Sequence, residues 1–223
     1  MKIATWNVER LKHKNAIDEI LLACEQAAPD ILVLTETDSR LRPIFRYCFQ
    51  TPPPANIQPE LYIPSENRVS IYTNFPCIKQ YPTYDQYTSL CVELGTERGS
   101  LIVYGTIIGI YGNRDSSFKP DLLSQLADIE RLAASGSNLC MCGDFNCSFA
   151  GNYYFTNFAR TSLLQSFAQN QIELLTRDIP ECIDHIAISK SFVSNTAIQI
   201  SEWNCDKRLS DHKGIIATIS KQS

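Results

Sequence analysis

The chain has 223 residues, of which 44% are hydrophobic and 20% charged, and its formal net charge is −4. Such a length and composition are ordinary for a soluble globular protein, with one large domain expected over residues 1–223. The negative balance argues against the broad polycationic surface on which sequence-indifferent duplex binding leans, while leaving room for a local basic cleft.

Residues 2–8 read as a strand, with Ile3, Thr5 and Asn7 on one face and Ala4, Trp6 and Val8 on the other. Residues 14–28 carry Ile17, Ile20, Leu21, Cys24 and Ala28 at helical spacing, and Pro29-Asp30 ends that helix. His13, between Lys12 and Lys14, reads as solvated. The apolar run 31–34 delivers Thr35 and Glu36 at its end. Residues 37–67 are irregular, with three consecutive prolines from Pro52 and scattered Arg40, Arg42 and Arg46. A stretch this long predicts minor structure of its own or an element facing substrate.

Strand-like runs follow at 69–73, 89–94 and 101–111. A second amphipathic helix opens near Pro120, with Leu122, Leu126, Ile129 and Ala133 on one stripe, and its Pro-Asp pair suits a first turn. The strand 138–142 runs straight into Gly143-Asp144-Phe145-Asn146. A Gly, Asn and aromatic loop at 149–157, a helix over 161–169, and strands at 183–189, 196–203 and 214–219 complete the chain. Two strand-helix-strand halves hint at pseudo-symmetry, and no Ser/Gly linker separates them. Many strands and few helices predict two packed sheets with helices outside.

Nine cysteines, an odd number with no CxxC pair, lie mostly in apolar runs such as those of Cys24, Cys91 and Cys140. That usage favours a reducing cytoplasm over a disulfide framework. The strand-like amino terminus lacks the layout of a secretory signal, and no segment reaches the roughly 20 apolar residues of a membrane span. Cys140, Cys142, Cys147 and the Cys182-x-x-His185 pair are a poor zinc set, because Cys140 and Cys142 would share one face of a strand. A serine hydrolase fits worse, since no GxSxG elbow is present.

Seven polar residues stand in or at the ends of apolar strand-like runs, where a polar side chain is costly unless paired or bound. They are Asn7, Glu36, Asp144, Asn146, Asp184, Asp211 and His212. Each has a plain alternative. Asn7 could cap a turn, Glu36 could be a solvated strand end, and Asp144 with Asn146 could form an Asx turn. Asp184 could face solvent, Asp211 could begin a hairpin, and His212 could be a satisfied core imidazole. On extended backbone the Asp144 and Asn146 side chains would point to the same side, a carboxylate to take a proton from water and an amide to orient it. That pairing suggests hydrolysis.

Thr5-Trp6-Asn7, Thr35-Glu36-Thr37, Gly143-Asp144-Phe145-Asn146, Ile183-Asp184-His185-Ile186 and Ser210-Asp211-His212 resemble, in order, the motifs of the endonuclease/exonuclease/phosphatase superfamily. The resemblance spans residues 5–212. It implies a four-layer α/β/β/α sandwich of two packed mixed sheets flanked by helices, and divalent-metal phosphoester hydrolysis at the sheet edges. By the same resemblance Glu36, Asn7 and Asp211 would hold Mg²⁺ or Mn²⁺, and Asp144 would deprotonate a water positioned by Asn146. His212, held by Asp184, would donate to a phosphoryl oxygen. One role transfers less directly: the chain has Ile110-Tyr111-Gly112-Asn113-Arg114, without the proline usual there. Tyr111 is either the catalytic tyrosine or a packing residue, and Asn113 and Arg114 either contact substrate phosphate or shape a turn.

Three functions compete: a Mg²⁺-dependent nuclease, a phosphatase or phosphodiesterase for a small-molecule or lipid-headgroup phosphate, and a non-catalytic binding module. The full complement of reactive side chains favours an enzyme, and the motif order favours a nuclease with a nucleic acid or other phosphoester as its partner. No protein partner is inferable. The aromatic cluster Gly151–Phe155 is either a wall on which a ring of the substrate stacks or a loop packing its own side chains.

Overall fold

The first strand, β1 (Lys2–Asn7), carries its alternation into space. In the computed structural model, which describes residues 1–12 and 16–222, Ile3 lies between two sheets while Ala4 and Trp6 face a helix. Helix α1 (Ile17–Ala27) buries Ile20 and Cys24 against them and ends on Ala28 in the left-handed conformation, one residue before Pro29. His13 and the expected first helical residues 14 and 15 lie outside the described residues.

Strand β2 (Ile31–Asp38) pairs parallel to β1, as a strand returning through a helix does, and antiparallel to β4 (Glu66–Thr73). β3 (Tyr47–Gln50), β11 (Thr196–Trp203) and β12 (Gly214–Lys221) complete the first sheet, in the order β11-β12-β1-β2-β4-β3.

The second sheet repeats the plan. β7 (Gly99–Ile107) passes through α2 (Phe118–Ala133) to its parallel neighbour β8 (Asn138–Asp144). β5 (Cys77–Tyr81), β6 (Ser89–Thr96), β9 (Ile172–Leu174) and β10 (Asp184–Ser189) give the order β5-β6-β7-β8-β10-β9, and α3 (Asn157–Gln169) packs with α2 on the outer face. Three apolar clusters make the layers. One, with Ile3, Val33, Val69, Val103 and Cys142, lies between the sheets; the others sit under α1 and under α2 and α3. The fold is a four-layer α/β/β/α sandwich, as the strand count and the resemblance predict.

Several boundaries differ from the sequence reading for local reasons. The run 101–111 stops at Ile107, because the Ile108 N–H turns to the Asp144 carbonyl at 2.9 Å and Gly109 adopts φ +68°. Residues 37–67 contain β3 and a short 3-10 turn at Pro54–Asn56. α2 opens two residues before Pro120, which costs nothing because a first-turn N–H is unpaired anyway. α3 starts at Asn157, since Thr156 Oγ1 accepts the Ala159 N–H at 3.1 Å. The edge strands β3, β5 and β9 show no periodic signal: β3 and β5 run over only four and five residues with little or nothing fully buried, and β9 has three. Among the described residues no helix is long and apolar enough to cross a membrane.

Candidate active site

The carboxyl ends of the two parallel pairs open on the same edge of the sandwich, where open sheets hold reactive groups. Asn7 ends β1 and Asp144 ends β8, one from each sheet, and the Asn7 Nδ2 donates to Asp144 Oδ2 at 3.0 Å. Asp184, the first residue of β10, lies directly opposite Asp144 in the ladder. Gly143 lets β8 lie close to β7 just before Asp144: its φ is +141°, and a Cβ there would stand 2.1 Å from the Thr106 carbonyl oxygen.

Asp184 is 1% exposed, so the solvent-facing reading is overturned. Its Oδ2 accepts from His212 Nδ1 at 2.5 Å. Burial works against the imidazolium, but Asp184 outweighs it, with help from Asp144 and Asp211, and His212 is held up to about 10. The loop bearing His212 is pinned through its backbone: Trp6 Nε1 and Asn204 Nδ2 donate to the His212 carbonyl at 3.1 and 2.7 Å, and Ser210 Oγ donates to the Asn7 carbonyl at 2.6 Å. Trp6 belongs to a motif legible in sequence; Asn204 carries no signal there.

Burial pushes the Asp144 carboxyl up to about 7, opposed by the His212 charge and reinforced by Asp184 and, more weakly, by Glu36. Its Oδ1 accepts the Asn146 N–H at 2.8 Å, so the Asx turn is real. The expected strand alternation does not extend to Asn146. β8 ends at Asp144, Asn146 takes φ +47°, and its Nδ2 donates to the carbonyls of Ile108 at 3.0 Å and Gly109 at 3.2 Å.

Glu36 has φ +48° inside a strand, an uncommon state for a residue with a Cβ and one that clusters at functional sites. Burial raises its carboxyl above the usual range, with His212 and the Asn7 side chain pulling the other way. It opens on a cavity of about 260 Å³ shared with Tyr111, whereas Asp211 and His212 line a second cavity of about 320 Å³ with Asn146 and Asp184. Asp211 is 67% exposed in its side chain, with Oδ1 3.6 Å from His212 Nε2.

Among the described residues no three Asp, Glu, His or Cys side chains form a ready-made metal cage. The donor set nevertheless fits Mg²⁺. Four carboxylates, those of Glu36, Asp144, Asp184 and Asp211, face one imidazolium, and such an ion keeps most of its waters and needs only one or two carboxylates.

Tyr111 lies beyond the Gly109 turn instead of ending a strand. It is 54% exposed, and its hydroxyl accepts from Gln58 Nε2 at 2.9 Å. Asn113 is buried and its Nδ2 donates to the Asn146 carbonyl at 2.8 Å; Arg114 is exposed. The aromatic loop divides. Phe155 packs under Arg160, while Tyr153 and Tyr154 line the second cavity and the Tyr154 hydroxyl accepts the Asn113 N–H at 3.3 Å.

His185 belongs to the core. A carbonyl can only accept, so Nε2–H donates to the Cys147 carbonyl at 3.0 Å and Nδ1 accepts from Thr176 Oγ1 at 2.7 Å. Burial lowers this imidazole to about 4, which keeps it neutral. Cys140 and Cys142 lie between the sheets and Cys147 in the cluster on the other side of its sheet, so the thiols do not converge on a metal.

A profile of the Endonuclease/Exonuclease/phosphatase family matches residues 4–212. No protein of curated function matches the chain by sequence. Among solved structures, the 3'-5' exonuclease NExo of Neisseria meningitidis superposes with a TM-score of 0.69 at 18% identity, over 99% of this chain and 100% of that one. A 3' phosphatase form of NExo from Neisseria, bound to a product DNA hairpin, gives 0.69 at 17% identity over 99% of each chain. An AP endonuclease from Archaeoglobus fulgidus gives 0.69 at 16% identity, over 98% of this chain and 99% of that one. At these identities the likeness speaks for the fold.

Proposed function

The chain belongs to the endonuclease/exonuclease/phosphatase family, a family of phosphoester hydrolases, and from that premise we propose that it is a Mg²⁺- or Mn²⁺-dependent nuclease. It would cleave phosphodiester bonds by attack of water, with residues 1–223 acting as one catalytic domain. The observation that carries this reading is the buried Asn7–Asp144 hydrogen bond set beside the Asp184–His212 pair, because it joins a proton acceptor to a fixed positive charge.

Asp144, raised toward 7, is matched to taking a proton near neutral pH, and a general base of this kind is worth roughly 10²–10⁴ in rate. The attacking oxygen bonds to phosphorus, the bond to the leaving oxygen breaks, and the proton from water resides on Asp144. His212 is the donor to a non-bridging phosphoryl oxygen, and Asp184 keeps its ring charged and oriented. Glu36 would be the principal carboxylate holding the divalent ion, with Asp211 and the Asn7 side chain contributing to its hold. When bound, such an ion would supply positive charge against the negative charge that develops at phosphorus and on the leaving oxygen. Asn146 and Asn113 shape the turn that carries the base, and Tyr111 and Arg114 border the substrate. Nucleic acid as substrate is supported by the motif order and by the DNA product held by one structural neighbour.

The test is a panel of single- and double-stranded DNA, RNA, a generic phosphodiester reporter and small phosphate monoesters, run with Mg²⁺ and with the Asp144→Asn variant beside wild type. Nucleic-acid cleavage that Asp144→Asn reduces by about 10²-fold or more is expected, with turnover falling steeply as salt rises. Salt-insensitive hydrolysis of a monoester alone would transfer the assignment to the phosphatase reading, which the net charge of −4 favours.

A further inference from the structure

The cavity beside Glu36 holds a cation that the reaction described above does not use. Ladder pairing in the first sheet runs Thr35 opposite Val69 and Thr37 opposite Asn67, which places Arg68 across from Glu36 at the interrupted position between them. Arg68 is 4% exposed, takes part in no ion pair among the described residues, and its Nε has no hydrogen-bond partner. A guanidinium this deeply buried needs an anion or several acceptors to repay its lost hydration. Among the described residues its side chain makes one hydrogen bond, from Nη2 to Gln58 Oε1 at 2.9 Å. Arg10, the neighbouring cation, is already satisfied by Glu66 at 2.9 Å.

The surroundings fix this guanidinium and leave room in front of it. The Tyr62 ring holds Arg68 at 5.0 Å and Arg10 at 4.4 Å from its centre. The cavity wall adds Pro54, Leu61 and Ile110, and Leu61 and Tyr111 stand about half exposed at the rim, 51% and 54%. Exposed apolar groups gathered around a charged pocket mark a ligand site more often than a free surface. At about 260 Å³ the space suits one base or sugar ring with its phosphate, and not a second strand.

We propose that this cavity is a nucleotide subsite: it receives the residue flanking the scissile phosphate, with Arg68 bonding the neighbouring phosphate and the Pro54–Leu61–Ile110 wall packing the ring. The proposal rests on the phosphodiesterase reading of the adjacent site and adds to it a second point of attachment. Recognition of phosphate by a held guanidinium would explain why arginine stands here without a protein carboxylate.

The experiment compares wild type with Arg68→Gln and Tyr62→Leu, each shown by thermal melting to be folded. It measures kcat/KM on a short oligonucleotide and on bis(p-nitrophenyl) phosphate, which has no flanking nucleotide. It also measures binding of thymidine 5′-monophosphate and inorganic phosphate by calorimetry. Both variants are expected to lose about tenfold or more on the oligonucleotide beyond any loss on the reporter, chiefly in KM. Thymidine 5′-monophosphate should bind wild type more tightly than phosphate does, and Arg68→Gln should weaken it about tenfold. Equal losses on both substrates, or nucleotide binding that ignores Arg68, would overturn the subsite. If wild type hydrolyses the reporter but no nucleic acid, the nuclease reading fails, and the subsite then stands or falls on the calorimetry alone. Should one substitution prevent folding, the other decides.

Discussion

Replacing Asp184 by Asn keeps the shape of the side chain and removes one charge, which isolates what that charge does to His212. The carboxylate and the imidazole meet in the cleft: Asp184 Oδ2 lies 2.5 Å from His212 Nδ1, and both groups are buried. Burial alone would push the imidazole below its ordinary value of about 6.5, yet with Asp184 present it titrates at about 10. A return to 6.5 corresponds to about 5 kcal/mol at 1.36 kcal/mol per tenfold change in proton affinity. Asp144 and Asp211 still raise the ring and burial still lowers it, so the figure gives the order of the effect.

At pH 8 a ring titrating at 6.5 is charged in roughly one molecule in thirty, so the variant's activity there should lie about thirtyfold below that of wild type, whose ring is still charged. The assay is NMR titration of the ring protons in metal-free protein, joined to a pH–rate profile with Mg²⁺. In folding terms the sign is fixed: a group whose folded value lies above its unfolded value stabilises fully below pH 6.5. That contribution is lost as pH rises through 10, and Asp184→Asn should flatten it. Wild-type His212 titrating near 6.5, or the variant still titrating above 9, would refute the reasoning.

Glu36→Gln should raise the Mg²⁺ concentration needed for half-maximal turnover by tenfold or more while leaving the fold intact, measured by metal titration and circular dichroism; an unchanged midpoint would remove Glu36 from the metal site. Gly143→Ala should destabilise by about 2 kcal/mol or more in urea melts, because φ +141° and the Thr106 carbonyl 2.1 Å from the new Cβ both oppose it. His185, lowered to about 4 from an unfolded value near 6.5, contributes stability that is complete above pH 6.5. That stability is lost as pH falls toward 4, amounting to about 3 kcal/mol. His185→Phe should erase that acid limb of the stability curve while depriving the Thr176 O–H and the Cys147 carbonyl of their imidazole partner; a limb that persists would assign it to another group.

Much of the fold is written in local pattern. The alternation of residues 2–8, the helical stripe at Ile17, Ile20, Leu21 and Cys24, and the continuous apolar runs before Glu36 and Asp144 each report burial through a single period, and each is realised. Asn7, Asp144, Asp184 and His212, about 200 residues apart at the extremes, were legible because polar groups inside apolar strands need a partner, and they are brought together in the cleft. Edge strands β3, β5 and β9 were not, since three to five residues are too few to set a period, even though Phe49, Ile172 and Leu174 pack on the core.

What chain order could not contain is how backbone geometry aims these side chains. Left-handed turns at Glu36 and Asn146 break the alternation that a strand would impose, which sends the Asn146 amide to the carbonyls of Ile108 and Gly109 and turns Glu36 toward the cavity of Arg68. The shifted proton affinities of Asp144, His185 and His212 likewise exist only after folding, because desolvation and the approach of a second charge are properties of a packed interior. Sequence alone marked the candidate groups; folding decided which of them shift in proton affinity, which hold each other, and which are left facing an open pocket.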